Sequence, residues 1–188
     1  MSEETRVVVL GAGYAGLMAA MRLAKKTASS VAITLVNAGD TFHERVRNHQ
    51  LAAGQPLGSY PLRALLRGTR IRFMQGAVTD LQPAQRQVCV QTSAGLQTLS
   101  YDYLVYALGS FVNTGSVPGV REYTHTLDYV STQALAERLP SLAVRGGKLL
   151  MVGGGNTGVE VVTELAEVYP TLRITLVTRR SFAPVQAP

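Results

Sequence analysis

Residues 7–26 read VVVLGAGYAGLMAAMRLAKK, and residues 33–36 read ITLV. An apolar run leads into Gly11, Gly13 and Gly16. Apolar residues at helical spacing follow through Leu17, Met18, Met21 and Leu23, the pattern frays at KKTASS, and a second short apolar run begins. Strand, tight turn, helix, strand is the order of a βαβ unit. Each glycine of the G-x-G-x-x-G spacing has a steric reason. The first allows the turn out of the strand Arg6–Leu10, the second leaves bare backbone for a pyrophosphate, and the third lets the helix press on the strand. The helix start then offers free N–H groups and its positive dipole end to an anion. Alone, such a motif is weak; between a strand and a helix, with a second strand behind it, it points to dinucleotide binding.

The same order returns later in the chain. Residues 149–168 read LLMVGGGNTGVEVVTELAEV, with Gly153, Gly155 and Gly158 in the same spacing, and ITLV recurs at 174–177. Val159, Val162 and Leu165 are expected to form the buried side of this second helix. One unit is used twice, which differs from the short period of a solenoid. The expected fold class is α/β, with two Rossmann-like βαβ dinucleotide-binding units and parallel sheets. Between them, IRFMQGAVTDLQP (71–83), QVCVQT (87–92) and the start of LQTLSYDYLVYALGS (96–110) read as a small antiparallel β-meander, followed by a last apolar strand Tyr103–Tyr106. PLRALLRG (61–68) has a short helical pattern, PGV (118–120) marks a linker, and STQALAERLPSL (131–142) reads as a helix. The expected domains are 1–115 and an incomplete 116–188.

Of the 188 residues, 46% are hydrophobic and 16% charged, which implies a sizeable core rather than disorder. The net charge of +6 suits nucleic acid, an anionic membrane surface or phosphate-bearing cofactors. The positive residues are scattered and aromatics make up only 6%, so no nucleic-acid partner is expected. Cys89 is the only cysteine, which leaves no Cys-x-x-Cys pair and suits a reducing, cytoplasmic setting. Val7 to Met21 is no signal peptide, because Glu3 and Glu4 precede it and three glycines interrupt it. No stretch is long and apolar enough for a membrane span. His43, His49 and His125 lack metal-ligand spacing and read as loop residues.

The two strand ends differ. A ribose normally meets Asp or Glu at the close of the second strand. Asn37 stands there in the first unit; its amide oxygen accepts a hydrogen bond without the charge, Asp40 is an alternative, and a third reading is that Asn37 simply opens the turn NAGD. In the second unit Thr178, Arg179 and Arg180 follow the strand. No acid repels a 2′-phosphate there and two arginines are offered to it, although both arginines pointing into solvent is the competing reading.

VVVLGAGYAGL, GAVTDLQP, YDYLVYALGS and VGGGNTGVE together resemble the two-dinucleotide-binding flavoproteins of the pyridine nucleotide–disulfide oxidoreductase superfamily, most closely the type II NADH dehydrogenases. The resemblance runs over nearly the whole chain. It implies FAD at the first unit and NADH or NADPH at the second, with hydride passing to the flavin and on to a small-molecule electron acceptor such as a quinone. By this resemblance Gly11, Gly13, Tyr14, Ala15 and Gly16 line the FAD pyrophosphate, Asn37 stands at the ribose, and Val78 meets the adenine through its backbone. Ala107, Leu108 and Gly109 lie near the flavin nucleotide, with Leu108 where threonine is common, so that any hydroxyl contact is lost. The loop HERVR brings Arg45 towards the flavin. Gly153, Gly155, Asn156, Thr157 and Gly158 hold the nicotinamide nucleotide, with Arg179 and Arg180 at its 2′ end. Glu160 has two readings: a carboxylate that orients the nicotinamide, or one placed in the first turns for the helix dipole. Without a Cys-x-x-Cys the disulfide-reductase branch is excluded. The family's chain goes on to a Gly-Asp segment not found here. The expectation is therefore a fragment, a split protein or a truncated gene product, with peripheral membrane contact through the missing part. The alternative is a non-catalytic nucleotide-binding module or an inactive remnant.

Overall fold

The computed structural model describes residues 4–179; Arg180 lies outside the described residues. Along the chain the elements are β1 (Thr5–Leu10), α1 (Tyr14–Lys26), β2 (Val31–Asn37), β3 (Thr41–Phe42), α2 (Asn48–Ala52), β4 (Tyr60–Pro61), α3 (Leu62–Leu65), β5 (Ile71–Gln75), β6 (Ala77–Gln82), β7 (Gln87–Thr92), β8 (Gly95–Ser100), β9 (Tyr103–Tyr106), α4 (Val120–Tyr123), α5 (Tyr129–Val144), β10 (Lys148–Val152), α6 (Asn156–Val168) and β11 (Arg173–Val177). They form two units. The first runs to His43 and resumes over Ser59–Ser110; the second holds Glu44–Gly58 and the chain from Phe111 on.

In the first unit a parallel sheet has the order β5-β2-β1-β9, with Val7 paired to Ile33 and to Tyr103, and Ile33 to Ile71. The unbroken apolar run of β1 follows from burial on both faces. Successive side chains alternate: Val7 and Val9 pack with Leu17, Ala20 and Leu35 on the α1 side, while Val8 and Leu10 pack with Val36, Val88 and Val90 on the meander side. The meander is β6-β7-β8, antiparallel throughout.

Residues 71–75 belong to the parallel sheet, not the meander. The run 71–83 is two strands divided by Gly76, where a Cβ would meet Val90 Cγ1 at 2.5 Å and the Gln91 carbonyl oxygen at 2.8 Å. On α1, the buried residues are Gly16, Leu17 and Ala20. These residues face the sheet, and Met18 projects outward with 64% of its surface exposed.

In the second unit β10 and β11 pair in parallel, Leu149 with Ile174 and Val152 with Val177. Both expected strand-neighbour pairs are therefore present. On α6 the buried face is Gly158, Val161 and Leu165, so Val161 takes the place expected of Val162. Residues 44–58, expected in the first domain, supply Ala52 and Ala53 to the core formed by Leu135, Leu139, Val161 and Leu165. Asp128 caps α5 by accepting the Ser131 N–H at 3.1 Å. The Thr126 hydroxyl, and then that N–H, hold the Asp128 carboxyl below its usual range.

Arg70 fastens the end of α1 in the first unit. Its guanidinium donates to the carbonyl oxygens of Ala24 (3.3 Å), Thr27 (2.7 Å) and Val31 (2.9 Å), and also to Ala28 O and Thr27 Oγ1. A planar fork at the negative end of a helix dipole serves several carbonyls at once, which a point charge does not. We expect Arg70→Ala to cost about 2–3 kcal/mol in urea unfolding, with Arg70→Lys restoring less than half. A loss below about 0.5 kcal/mol, the range of an ordinary surface substitution, would show that solvent replaces the network.

Candidate dinucleotide sites

In the first unit the chain leaves β1 through Gly11, whose φ of +94° is left-handed and whose Cβ would sit 2.3 Å from the Ala107 carbonyl oxygen. At Gly16 a Cβ would come within 1.8 Å of Gly11 O, whereas at Gly13 it would meet nothing within 4 Å. The turn is pinned on both sides: Gly11 N donates to Val36 O and Ala107 N donates to Leu10 O, each at 2.8 Å. Gly13 starts α1 without a side-chain cap, and no acid lies in the first turn. The opening beside Gly13 and this uncapped helix start fit a pyrophosphate.

Asn37 does more than open a turn. Its Oδ1 accepts the Ala12 N–H at 2.9 Å and its Nδ2 donates to Gly39 O at 2.9 Å. An amide accepts from one side and donates to the other, whereas an ionised aspartate only accepts and would lose the second bond. Asp40 is engaged by the Thr41 hydroxyl at 3.0 Å. Tyr14 stands at the mouth of the loop with the Phe42 ring edge-on at 5.0 Å, and Tyr60 lies 6.2 Å beyond Phe42. Ala15 is exposed beside it. Leu108 lies against Gly11, its Cα 3.0 Å from where a Cβ on that glycine would stand, and Gly109 turns the chain with a φ of +75°. Val78, on β6, pairs with Val90 of β7. Nearby, a cleft of about 330 Å³ opens among Ala38, Gln75, Gly76, Ala77, Gln91 and Thr92. It adjoins the carboxyl ends of β2 and β5, the usual ligand side of a parallel sheet. Arg45 belongs to the second unit, in a short 3-10 turn over Arg45–Arg47.

The second unit repeats the cradle. Gly153 has a φ of +118°, Gly155 has open space where a Cβ would be, and a Cβ on Gly158 would lie 2.0 Å from Gly153 O. Gly153 N donates to Val177 O at 2.9 Å, as Gly11 N does to Val36 O. Gly155 starts α6 without a side-chain cap, with Asn156 and Thr157 exposed behind it. Arg179 is exposed past the end of β11.

Glu160 lies beyond the first turn of α6, which carries no acid. The dipole effect falls off within that turn, which weakens the purely structural reading of this residue. Its Oε2 lies 3.8 Å from Nδ1 of His49. His49 is on α2, not in a loop as expected. Nothing local in the sequence marks it, because the pairing depends on residues 44–58 joining the second unit.

Two cradles of this geometry in one chain agree with the family model for pyridine nucleotide-disulphide oxidoreductases, which matches residues 5–184. The chain belongs to that family. The type II NADH:quinone oxidoreductases of Staphylococcus haemolyticus (strain JCSC1435) and Staphylococcus aureus (strain NCTC 8325 / PS 47) are each 29% identical to it over 185 residues, covering 90% of this chain and 45% of the relative. The chain thus spans about half the length of the curated relatives it matches. Among solved structures, NDH2 from Plasmodium falciparum in complex with NADH has a TM-score of 0.77 at 20% identity, covering 92% of this chain and 41% of that one. The sulfide:quinone oxidoreductase from Aquifex aeolicus has a TM-score of 0.75 at 22% identity, covering 92% and 42%. These likenesses show a shared fold.

The glycines of each cradle should separate by experiment. We expect Gly16→Ala and Gly158→Ala each to destabilise by about 1–3 kcal/mol or more through overpacking. Gly13→Ala and Gly155→Ala should stay within about 0.5 kcal/mol, the range of unobstructed surface changes. Equal losses at all four positions in thermal unfolding would contradict the steric assignment.

Proposed function

We propose that these residues form the two nucleotide-binding units of an FAD-dependent NAD(P)H oxidoreductase, FAD held by the first and NAD(P)H by the second. The supporting observation is the repeated cradle, each copy with an open middle glycine and an uncapped helix start, in a chain of this family. When bound, FAD supplies a flavin that takes hydride from the nicotinamide and passes electrons to a quinone or another small acceptor. A lipid-soluble quinone would draw the protein to a membrane surface; no helix among the described residues is long and apolar enough to cross one.

The residues then have distinct tasks. Backbone N–H groups over Gly13–Gly16 face the FAD pyrophosphate, with Tyr14 and Ala15 at its rim. Asn37 holds the loop in shape through Ala12, and the cleft beside Val78 receives the adenosine end. Ala107, Leu108 and Gly109 back the loop on its other side. In the second unit Gly153, Gly155, Asn156, Thr157 and Gly158 receive the NAD(P)H pyrophosphate. Glu160 accepts hydrogen bonds from the nicotinamide carboxamide and so orients the ring.

At the 2′ end, Thr178 and Arg179 stand where an acid would select NADH. The matched staphylococcal relatives are NADH:quinone oxidoreductases, so a preference for NADPH is this chain's own departure.

The intact protein should purify yellow, and anaerobic NADPH should bleach its flavin absorbance. Arg179→Ala should lower the ratio of kcat/KM for NADPH over NADH by about ten- to a hundredfold, the value of one charge-assisted hydrogen bond. A colourless protein that fails to bind added FAD would overturn the assignment. A parent that prefers NADH, with the ratio unmoved by Arg179→Ala, would overturn the 2′-phosphate contact.

A further inference from the structure

Glu160 and Glu164 are one turn apart on α6, and so share a face. Side chains from residues 48–55 approach both: His49 Nδ1 lies 3.8 Å from Glu160 Oε2, just outside hydrogen-bond distance, and Gln55 Nε2 donates to Glu164 Oε1. His49 is mostly buried, with 20% of its side chain exposed, whereas Glu160 is half exposed at 53%. The segment that carries His49 has little freedom. Asn48, 4% exposed, donates to Leu127 O at 2.7 Å. Ala52 and Ala53 are in the core with Val161 and Leu165. The Tyr169 hydroxyl donates to Ala53 O at 3.3 Å. These fasteners bracket His49, so the fold fixes its imidazole beside α6. A long, half-exposed carboxylate without such a partner would sample many rotamers, and ordering it on ligand binding would weaken affinity.

We propose that His49 is a positioning residue that holds the Glu160 carboxylate in one orientation on the nucleotide-binding helix, ready for the nicotinamide carboxamide. The inference rests on the assignment of NAD(P)H to this unit and of Glu160 to the carboxamide. It adds the residue that prepares Glu160 and explains why a piece of chain from between two parts of the first unit is built into the second.

The test compares two ligands on the intact, flavin-loaded protein. NADH carries the nicotinamide; ADP-ribose carries the same pyrophosphate and adenosine without it. His49→Ala and Glu160→Ala should each weaken NADH by about five- to tenfold, as for loss of one hydrogen bond to the carboxamide, while ADP-ribose stays within about twofold. His49→Gln, which keeps an N–H donor of similar reach, should recover most of the affinity and of the flavin-bleaching rate at saturating NADH. Gln55→Ala, which removes only the neighbouring attachment, should bind both ligands as the parent does. Equal losses of NADH and ADP-ribose in His49→Ala would reduce His49 to structural support and overturn the proposal. So would an unchanged His49→Ala beside an impaired Glu160→Ala. If Glu160→Ala itself binds NADH normally, the underlying role of Glu160 fails and His49 fails with it.

Discussion

In each unit one contact admits no side chain: the helix start lies so close to the preceding turn that a Cβ on Gly16 would stand 1.8 Å from Gly11 O, and one on Gly158 2.0 Å from Gly153 O. The rest of each cradle follows from that approach. The helix seats on the strands through Gly16, Leu17 and Ala20, and Met18 faces away from them. The turn is forced into a left-handed conformation at Gly11 and Gly153. The middle glycine is left facing open space, and the first N–H groups of the helix lack a side-chain cap. An anion is the natural partner for such an arrangement.

Because this constraint is local and steric, the sequence reveals it. Three glycines between an apolar run and a helical pattern identify both cradles, and the repeated tetrapeptide 33–36 and 174–177 identifies the strands paired to β1 and β10. What the sequence hides is set by distant neighbours. Gly76 divides β5 from β6 because Val90 and Gln91 crowd it from the next strand, so the alternating run 71–83 looks like a single strand. Asn37 reads as a turn residue or a ribose ligand, and its bond to Ala12, across the loop, adds the role of a strut that no local signal reports. Residues 44–58 follow β3 in sequence yet fill the core of the second unit, which places His49 against Glu160. No periodicity or motif reports such a crossing.

The copies differ where their ligands should differ. The first sheet flanks β1 with β9, so Gly11 is crowded by Ala107. The strand ends diverge too: a neutral amide tied into the loop closes β2, while Thr178 and the exposed Arg179 follow β11. At the strand ends the same backbone device thus presents two chemical environments, in keeping with the proposed binding of two different dinucleotides.

The central claim is that the two cradles are separate sites for separate nucleotides. Gly13 and Gly155 have extended backbones (φ −73° and −76°) that any residue adopts, and open space beside them. A valine at either position therefore fills the ligand's room without straining the chain. The decisive measurement is flavin content together with NADPH affinity in the intact protein carrying Gly13→Val or Gly155→Val. Gly13→Val should lose its flavin and still bind NADPH, and Gly155→Val should stay yellow and fail to bind NADPH. If both variants lose the same ligand, or each keeps both, the assignment of one nucleotide to each cradle is wrong.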